Sequence, residues 1–505
     1  MTSSVPRSAA VAILVAFLGP ASGAFAQPAA APLGIQGLDR FTVSGVRSRG
    51  MGGTATASVN DASALFSNPA GLSRLAGFEL RAGGLLGSTK NAQTQVWTPM
   101  RPLPGLSVLF EGLTGNVTPP QDTTLPPWDR LQVPYDNITP NWETSSSSAQ
   151  MLSLVAAAPF SFEGVDLAAG VGFAQVINLD QYYQNNNSMT PYLGQQRPDP
   201  GLITDPIDTL HVQWYQYVRA REGGVYGITP GVSIAPIPEL RLGGSVTFLT
   251  GSSDDSEQRV ERGHISIEIE TSTPQNFLLD TVRYYQQKTG TSKYSGTAFT
   301  FGLLFQQKRY GIGFTVRPPM TLTRAWSRQV TSLDTTRNTA PIRVDSLTTR
   351  SYAESGEDYV RYPWSYSLGL VLTPTDSWTI AFDYELRQLG DVQWTSTTGT
   401  AVAQPWVNTK GMIRLGLEYR ASDAVAVRAG FREDLQAFSP DGSAIIGEPA
   451  RGSVYSVGAG FTVENIMLEA VYEYARLRYE DVYQSNVNYN LMDRHQVLME
   501  IAYRF

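Results

Sequence analysis

Over its last hundred residues the chain alternates apolar and polar positions with a period of two. In the terminal segment Val497, Met499, Ile501, Tyr503 and Phe505 share one parity, while Leu498, Glu500, Ala502 and Arg504 take the other. Ile413, Leu415, Leu417 and Tyr419 oppose Arg414, Gly416, Glu418 and Arg420 in the same way. Val425, Val427, Ala429 and Phe431 likewise oppose Ala426, Arg428, Gly430 and Arg432. Upstream, Trp378, Ile380, Phe382, Tyr384 and Leu386 stand against Thr379, Ala381, Asp383, Glu385 and Arg387. A period of two sends alternate side chains to opposite faces of a strand. Segments of about ten such residues, one face fit for lipid, are what a transmembrane antiparallel β-barrel requires.

The pattern predicts fourteen strands, at 77–89, 149–160, 165–181, 222–235, 240–254, 295–307, 310–327, 359–373, 377–389, 407–419, 424–437, 453–463, 466–481 and 495–505. Tight turns (160–164, 236–239, 307–309, 374–376, 421–423, 464–465) alternate with long connections, of which 90–148 is the longest. That places the short turns and both termini on the periplasmic side and the long loops outside. The alternation Ile265, Ile267, Ile269 inside one loop is either an outward extension of the wall or an extra pair of strands. After Thr273-Pro274, Phe277, Leu278, Val282 and Tyr285 fall at helical spacing and predict a short loop helix. Sandwiches and propellers also alternate, but their strands are typically about five or six residues long. The strands here are longer and carry aromatics near their ends (Trp364, Trp378, Tyr419, Tyr455, Phe461), as interfacial belts do.

Composition agrees with an all-β wall. The 505 residues carry a net charge of -7, 16% charged residues, 46 glycines, 24 tyrosines and no cysteine, which leaves no disulfide framework and no basic surface for nucleic acid. Residues 1–26 read as a secretory signal, with Arg7, an apolar run from Ala9 to Leu18, and Ala24-Phe25-Ala26 before Gln27. No later run of about eighteen apolar residues offers a membrane helix.

Between leader and wall lies GVRSRGMGGTATASVNDASALFSNPAGLSRL, Gly45 to Leu75. Its glycines, Gly50, Gly52 and Gly53, permit a tight turn packed against a wall. Asp61 is placed to cap a short helix over 62–66, and Asn68 to cap a second with Pro69 at its first position. The stretch is too short to bury Met51, Val59, Leu65, Phe66, Leu72 and Leu75 by itself, so something larger must enclose it. The Gly-Met-Gly-Gly turn, the Asn60–Ala64 run and the Asn68-Pro69-Ala70-Gly71-Leu72 box resemble the hatch of the FadL-type outer-membrane transporters of long-chain fatty acids and aromatic hydrocarbons. The division that follows is a signal peptide (1–26), a hatch (27–76) inside the lumen, and an outer-membrane barrel (77–505).

The resemblance implies passive uptake of a hydrophobic small molecule, long-chain fatty acid by default, through a lumen gated by Gly52, Gly53, Asp61, Asn68, Pro69 and Ala70. It also implies a sideways exit beside a kinked third strand. Here that is the strand at 165–181, where Gly170 and Gly172 either bend the wall or make room for the hatch. Capture at the surface falls to the loop helix of Phe277, Leu278, Val282 and Tyr285. Inward-parity charges, Arg414, Glu418, Arg428, Arg432, Glu469, Glu473, Glu500 and Arg504, either line a path or pair into a network that holds register and hatch. His211, His264 and His495 lie far apart and form no catalytic or metal constellation, and the Asp254-Asp255-Ser256-Glu257 run reads as a solvated loop. The chain is thus expected to be a monomeric non-enzyme without cofactor or metal, with lipid and an apolar substrate as partners. The alternative is a secretion-accessory barrel of the PorV kind, which binds exported protein on its outer loops.

Overall fold

The protein is described by a computed structural model that covers residues 36–97, 141–192, 207–270, 276–280, 285–336, 346–397, 406–407, 411–438, 449–483 and 486–505. The segment at 1–26 expected to be a signal lies outside the described residues. Two short helices, α1 (Val46–Gly50) and α2 (Ala64–Ser67), and a 3-10 turn at Pro69–Arg74 precede the wall. The wall begins with β1 (Glu79–Trp97), β2 (Trp142–Phe162), β3 (Val165–Asn178), β4 (Gln181–Tyr192), β5 (Ile207–Ile237), β6 (Leu240–Glu270), β7 (Asn276–Asp280) and β8 (Tyr285–Gln306). It continues with β9 (Tyr310–Arg317), β10 (Met320–Thr336), β11 (Ser346–Tyr362), β12 (Ser365–Leu372), β13 (Trp378–Arg387) and β14 (Gln393–Ser396). β15 (Met412–Arg420), β16 (Val425–Leu435), β17 (Arg451–Val463), β18 (Ile466–Tyr483) and β19 (Asn486–Arg504) complete it.

All belong to one antiparallel sheet, which closes where β19 pairs with β1 from Glu79↔Arg504 to Trp97↔Asn486. Among the described residues four staves are interrupted (β3/β4, β9/β10, β11/β12, β13/β14), and β7 lies ahead of β8 on the same edge of β6. Nineteen segments therefore make a closed barrel of fourteen staves, the number read from the alternation. The alternating parity also sorts the faces: Met499 and Ile501 are 57% and 51% exposed, whereas Leu498, Glu500 and Ala502 between them are buried. A barrel whose outside is apolar and whose inside is polar suits lipid around it and water or a plug within it.

The strands run further than their apolar stretches. β5 and β6 have 31 residues each and stay paired from Ile207↔Glu270 to Ile237↔Leu240. At about 3.3 Å per residue each is about 100 Å long, whereas about ten residues suffice to cross a bilayer. Much of the expected outer loops at 182–221 and 255–294 is therefore sheet. Ile265, Ile267 and Ile269 belong to this extension, and β7 adds to it as well, pairing Phe277 with Ile267 and Leu278 with Ser266.

The helix expected after Thr273-Pro274 is accordingly corrected over 276–280, which is strand. The β6 edge from His264 to Glu268 offers backbone donors and acceptors there, and these outweigh a weak local helical pattern. Tyr285 opens β8 and its hydroxyl donates to Gln287, while Val282 lies outside the described residues. The acidic run is corrected too. Asp255 sits within β6 and accepts from Arg221 (2.7 Å), Arg324 (3.0 Å) and Ser292 (2.6 Å), so it is a member of an ion-paired cluster and not of a solvated loop.

Candidate functional site: the hatch and its cavity

The stretch from Val46 to Leu72 lies inside the barrel and is buried almost throughout. Its entry turn depends on a close approach. Gly52 has φ 66°, and a Cβ there would run into the backbone of Leu415 and Phe431. The wall answers with glycines of its own, because a Cβ on Gly416 or Gly430 would collide with Met51 and Gly52. Ser456 bridges the turn, accepting from the Gly52 N–H and donating to the Gly50 carbonyl, both at 3.2 Å. Gly53 shares the positive φ, at 84°, but a Cβ there would meet only flexible side chains.

Charge fixes the hatch to one half of the wall. Arg47 of α1 donates two hydrogen bonds of 2.9 Å to Glu418 on β15 and a third to the Ser58 carbonyl. Glu418 also accepts from Arg428 (2.6 Å), which in turn pairs with Glu469. Arg49 reaches Glu473 and Gln496 (2.8 Å), and Glu473 is shared with Arg432 (2.6 Å). Glu79 accepts from the Ala62 N–H (2.9 Å) and from Arg504, while Arg81 pairs with Glu79 and Glu500. Asp383 takes the N–H groups of Ala55 (2.8 Å) and Thr56 (2.9 Å). The inward charges thus form a connected, charge-compensated network, the arrangement buried ions require. What the sequence pattern left out was the hatch's own share. Arg47 and Arg49, the two basic residues just before the glycine turn, are counter-charges to an acidic wall.

The second box is built around Asn68. Its Oδ1 accepts from the Ala70 N–H (3.2 Å) as the expected cap, while its Nδ2 donates to the carbonyls of Thr56 (2.6 Å) and Leu303 (3.2 Å). Pro69 opens the turn as expected, though the turn is 3-10 and not α. The first helix is shifted: α2 starts at Ala64 with Ser63 as its N-cap residue, and Asp61 instead accepts from the Ser63 N–H (2.9 Å) in a turn just before it. Buried beside Arg81, Asp61 is pushed upward by desolvation but pulled further down by Arg81 and Arg47, so its carboxyl lies below the usual range.

On the opposite half, hatch and wall meet through apolar contacts around a cavity of about 140 Å³. Phe41 and Phe66 of the hatch form one side, and Val176, Ala298, Met320 and Tyr362 the other. Arg387 lies over the Phe41 ring at 4.6 Å, and the hydroxyls of Thr42 and Ser365 are buried at the cavity without a hydrogen-bond partner among the described residues. At Val176 the wall itself changes. The β2–β3 ladder runs from Phe162↔Val165 to Ser153↔Ala174 and ends there among the described residues, while β2 continues to Trp142 on β1 alone. β3 goes on with β5 across a register shift between Gln175 and Ile177. It also turns to the hatch: the Thr42 N–H donates to Val176 O (2.9 Å), the Asn178 N–H donates to Arg40 O (3.0 Å), and Phe41 bridges Ile177.

The bend expected at Gly170 and Gly172 therefore lies a few residues on. Both glycines are fully paired, Gly170 with Ala157 and Gly231, Gly172 with Val155 and Thr229. Gly172 makes room for Phe66, whose ring occupies the place of a Cβ.

Solved structures share the barrel fold. A Pseudomonas aeruginosa FadL homologue superposes with a TM-score of 0.57 over 92% of this chain and 100% of its own, at 12% identity. The fold is that of the FadL-type channels. The Pseudomonas putida toluene transporter TodX gives a TM-score of 0.52 at 13% identity, covering 91% of this chain and 98% of that one. A family profile described as BamG matches residues 210–431. No curated protein matches the chain in sequence. Within the FadL-type fold the lumen is filled by the hatch just described. Among the described residues there is no group of histidine, cysteine, aspartate or glutamate side chains arranged to hold a metal.

Proposed function

We propose that the protein is an outer-membrane channel that takes up small apolar molecules passively, holding them in the hatch-lined cavity and releasing them sideways into the membrane between β2 and β3. The observation that carries this reading is the position of the cavity. It touches the wall at Gln175 and Val176, where β3 has parted from β2 and bonded to the hatch. An apolar solute gains about 0.8 kcal/mol per buried methylene on moving into lipid and gains nothing comparable in an aqueous periplasm. A lateral exit therefore suits an apolar passenger. Fold likeness to a toluene transporter and a FadL homologue supports the same class.

The cavity also narrows the passenger. A space of about 140 Å³ compares with the roughly 150 Å³ apolar cavity that accepts benzene. It holds one aromatic ring or a short alkyl segment, so we favour compounds of that size over whole long-chain fatty acids. The unpartnered hydroxyls of Thr42 and Ser365 offer a hydrogen bond to one polar substituent.

Because the chain has no cysteine, a Gln150→Cys/Gln175→Cys pair places two thiols on either side of the parting of β2 and β3. They are joined by a short bis-methanethiosulfonate linker that fills the span of the two glutamine side chains, whose ends meet at 3.3 Å. Uptake of toluene and of a long-chain fatty acid is then compared in linked and reduced cells. Loss of uptake on linking, restored by reductant, is expected, with toluene affected at least as strongly as the fatty acid. Uptake indifferent to the link refutes the lateral exit. A second reading, a barrel that carries exported protein, draws on the β5–β6 hairpin, which is far longer than a bilayer requires. It predicts no bound apolar molecule by native mass spectrometry and stoichiometric co-purification of a secreted protein.

A further inference from the structure

We propose that the wall has a second side opening, distinct from the parting of β2 and β3, at the shared interruption of β9/β10, β11/β12 and β13/β14, and that it admits apolar molecules dissolved in the outer leaflet to the cavity. This rests on the uptake reading above and adds a separate entrance to it.

Three adjacent staves break at one height. β9 pairs with β12 as far as Arg317↔Ser365, and β10 resumes with β11 at Met320↔Tyr362. Between them face Pro318-Pro319 and Pro363-Trp364. Three prolines bring no N–H to the ladder, so the gap cannot be closed by the usual hydrogen bonds. On one flank β8 pairs with β9 up to Phe301↔Val316 and with β10 from Gly296↔Leu322, which leaves Thr297–Thr300 without a ladder partner on that edge. On the other flank β12 pairs with β13 up to Ser365↔Arg387 and β11 with β14 from Arg361↔Gln393; a 3-10 turn, Leu389–Asp391, fills the interval.

The interruption reaches from the cavity to the outside. Inward residues on both sides of it, Met320, Tyr362 and Ser365, line the cavity, and so does Trp364. Trp364 is 45% exposed and stacks on outward-facing Tyr366 with ring centroids 6.4 Å apart. A residue that belongs to the cavity and to the outer face at once marks a passage between them.

Its height follows from the outward parity. Tyr310, Ile312 and Phe314 on β9, Phe299 and Phe301 on β8 and Leu368, Leu370 and Leu372 on β12 are apolar and exposed. Past the break Thr321 and Thr323 on β10, Arg361 on β11 and Thr297 and Ser295 on β8 are polar, with Tyr359 on β11 as an exposed aromatic among them. The eight residues of β9, at about 3.3 Å each and a tilt of about 40°, put the break roughly 20 Å above the short-turn rim, in an apolar band about 25 Å tall. The opening therefore sits at the outer-leaflet side of the band, flanked by Trp364 and Tyr366 as interfacial aromatics.

The test uses the full chain in vesicles that contain a bilayer-confined hydrocarbon bearing a diazirine, photolysed and mapped by peptide mass spectrometry. In protein sealed at β2–β3 by the linked Gln150→Cys/Gln175→Cys pair, labelling of Phe66 in the cavity is expected to persist. It is expected to disappear when Met320→Trp is added to the sealed protein, and to fall with the milder Met320→Phe, while labelling of outward Met499 is unchanged and reports a folded barrel. In both variants Phe66 labelling is expected to return when the link is reduced, which shows that the cavity still accepts the probe through the first opening. Phe66 labelling that does not return on reduction means that the substitution fills the cavity and overturns Met320 as part of a separate entrance. Loss of Phe66 labelling on sealing alone overturns the second opening and leaves the first standing. Absence of Phe66 labelling even in reduced protein overturns both, because the cavity then holds no apolar molecule.

Discussion

Removing Arg47 tests whether the hatch is held by charge. Its guanidinium makes the double hydrogen bond to Glu418 and bonds the Ser58 carbonyl, and both ionic partners are about 5% exposed. Breaking a buried pair by deleting one partner costs about 3–5 kcal/mol. Arg428 still serves Glu418 in the Arg47→Met variant, which argues for the lower end. The cluster nonetheless falls from two positive and two negative charges, Arg47 and Arg428 against Glu418 and Glu469, to an excess negative one. A loss of about 3 kcal/mol in local opening free energy is about a hundredfold in the opening constant. The readout is hydrogen exchange at the Met51 and Gly53 amides, which bond the carbonyls of α1, in protein whose barrel stays folded. They should exchange about a hundred times faster in Arg47→Met. The Arg47→Met/Glu418→Met double variant restores neutrality, since Arg428 keeps Glu469, and should recover to within about 1 kcal/mol of the parent. Unchanged exchange in the single variant, or a double variant as loose as the single one, refutes the reasoning.

Two further outcomes follow from hatch geometry. Gly52→Ala should destabilise by about 3 kcal/mol or prevent the hatch from seating, because positive φ and collision with wall backbone add, whereas Gly53→Ala, which meets only side chains, should cost about 1 kcal/mol. Equilibrium unfolding of the pair decides it, and equal effects count against the close approach. Asp61 predicts a pH dependence: its folded carboxyl lies below the ordinary value of 3.8, so the stability it contributes is complete above that value and is lost as pH falls through the depressed one. Protection of the Ser63 amide, which bonds the Asp61 carboxylate, measured relative to the intrinsic exchange rate at each pH, should therefore fall only below about pH 4. Asp61→Asn should remove that step, and a step at neutral pH in the parent speaks against the assignment.

Stave number, strand polarity and the hatch were legible because each rests on a short-range signal. Alternation over ten residues decides facing, and Asn68-Pro69 decides a local turn. Features that depend on a distant partner were not. Strand extension in β5 and β6 is sustained by mutual pairing, not by apolar alternation, so the polar halves read as loops. The segment at Phe277 and Leu278 joined a sheet edge that no local pattern announces. The departure of β3 lies at Gln175–Ile177, not at the glycines, because what draws it inward is the backbone of Phe41 and Thr42, more than a hundred residues earlier. Pro318-Pro319 and Pro363-Trp364 were visible individually, but their alignment appears only once register is known.

The hatch is bonded unevenly, and that separates its two duties. Ion pairs, shared carboxylates and hydrogen bonds join it to β13, β15, β16, β18, β19 and β1, while the cavity lies against β3, β5, β6, β8 and the broken staves, with β13 at the border of the two. On the uptake reading a solute can pass by displacing the side chains of Phe41 and Phe66 and separating the Gln150–Gln175 amides, with every ion pair intact. Ala298→Phe places a ring into the cavity from β8, far from the charged half. It should abolish binding of a single-ring hydrocarbon measured by native mass spectrometry, yet leave exchange at Met51 and Gly53 unchanged. Arg47→Met should do the reverse, loosening those amides while the purified protein still binds. If either substitution moves both readouts together, the hatch acts as one rigid unit and passage requires the whole of it to shift.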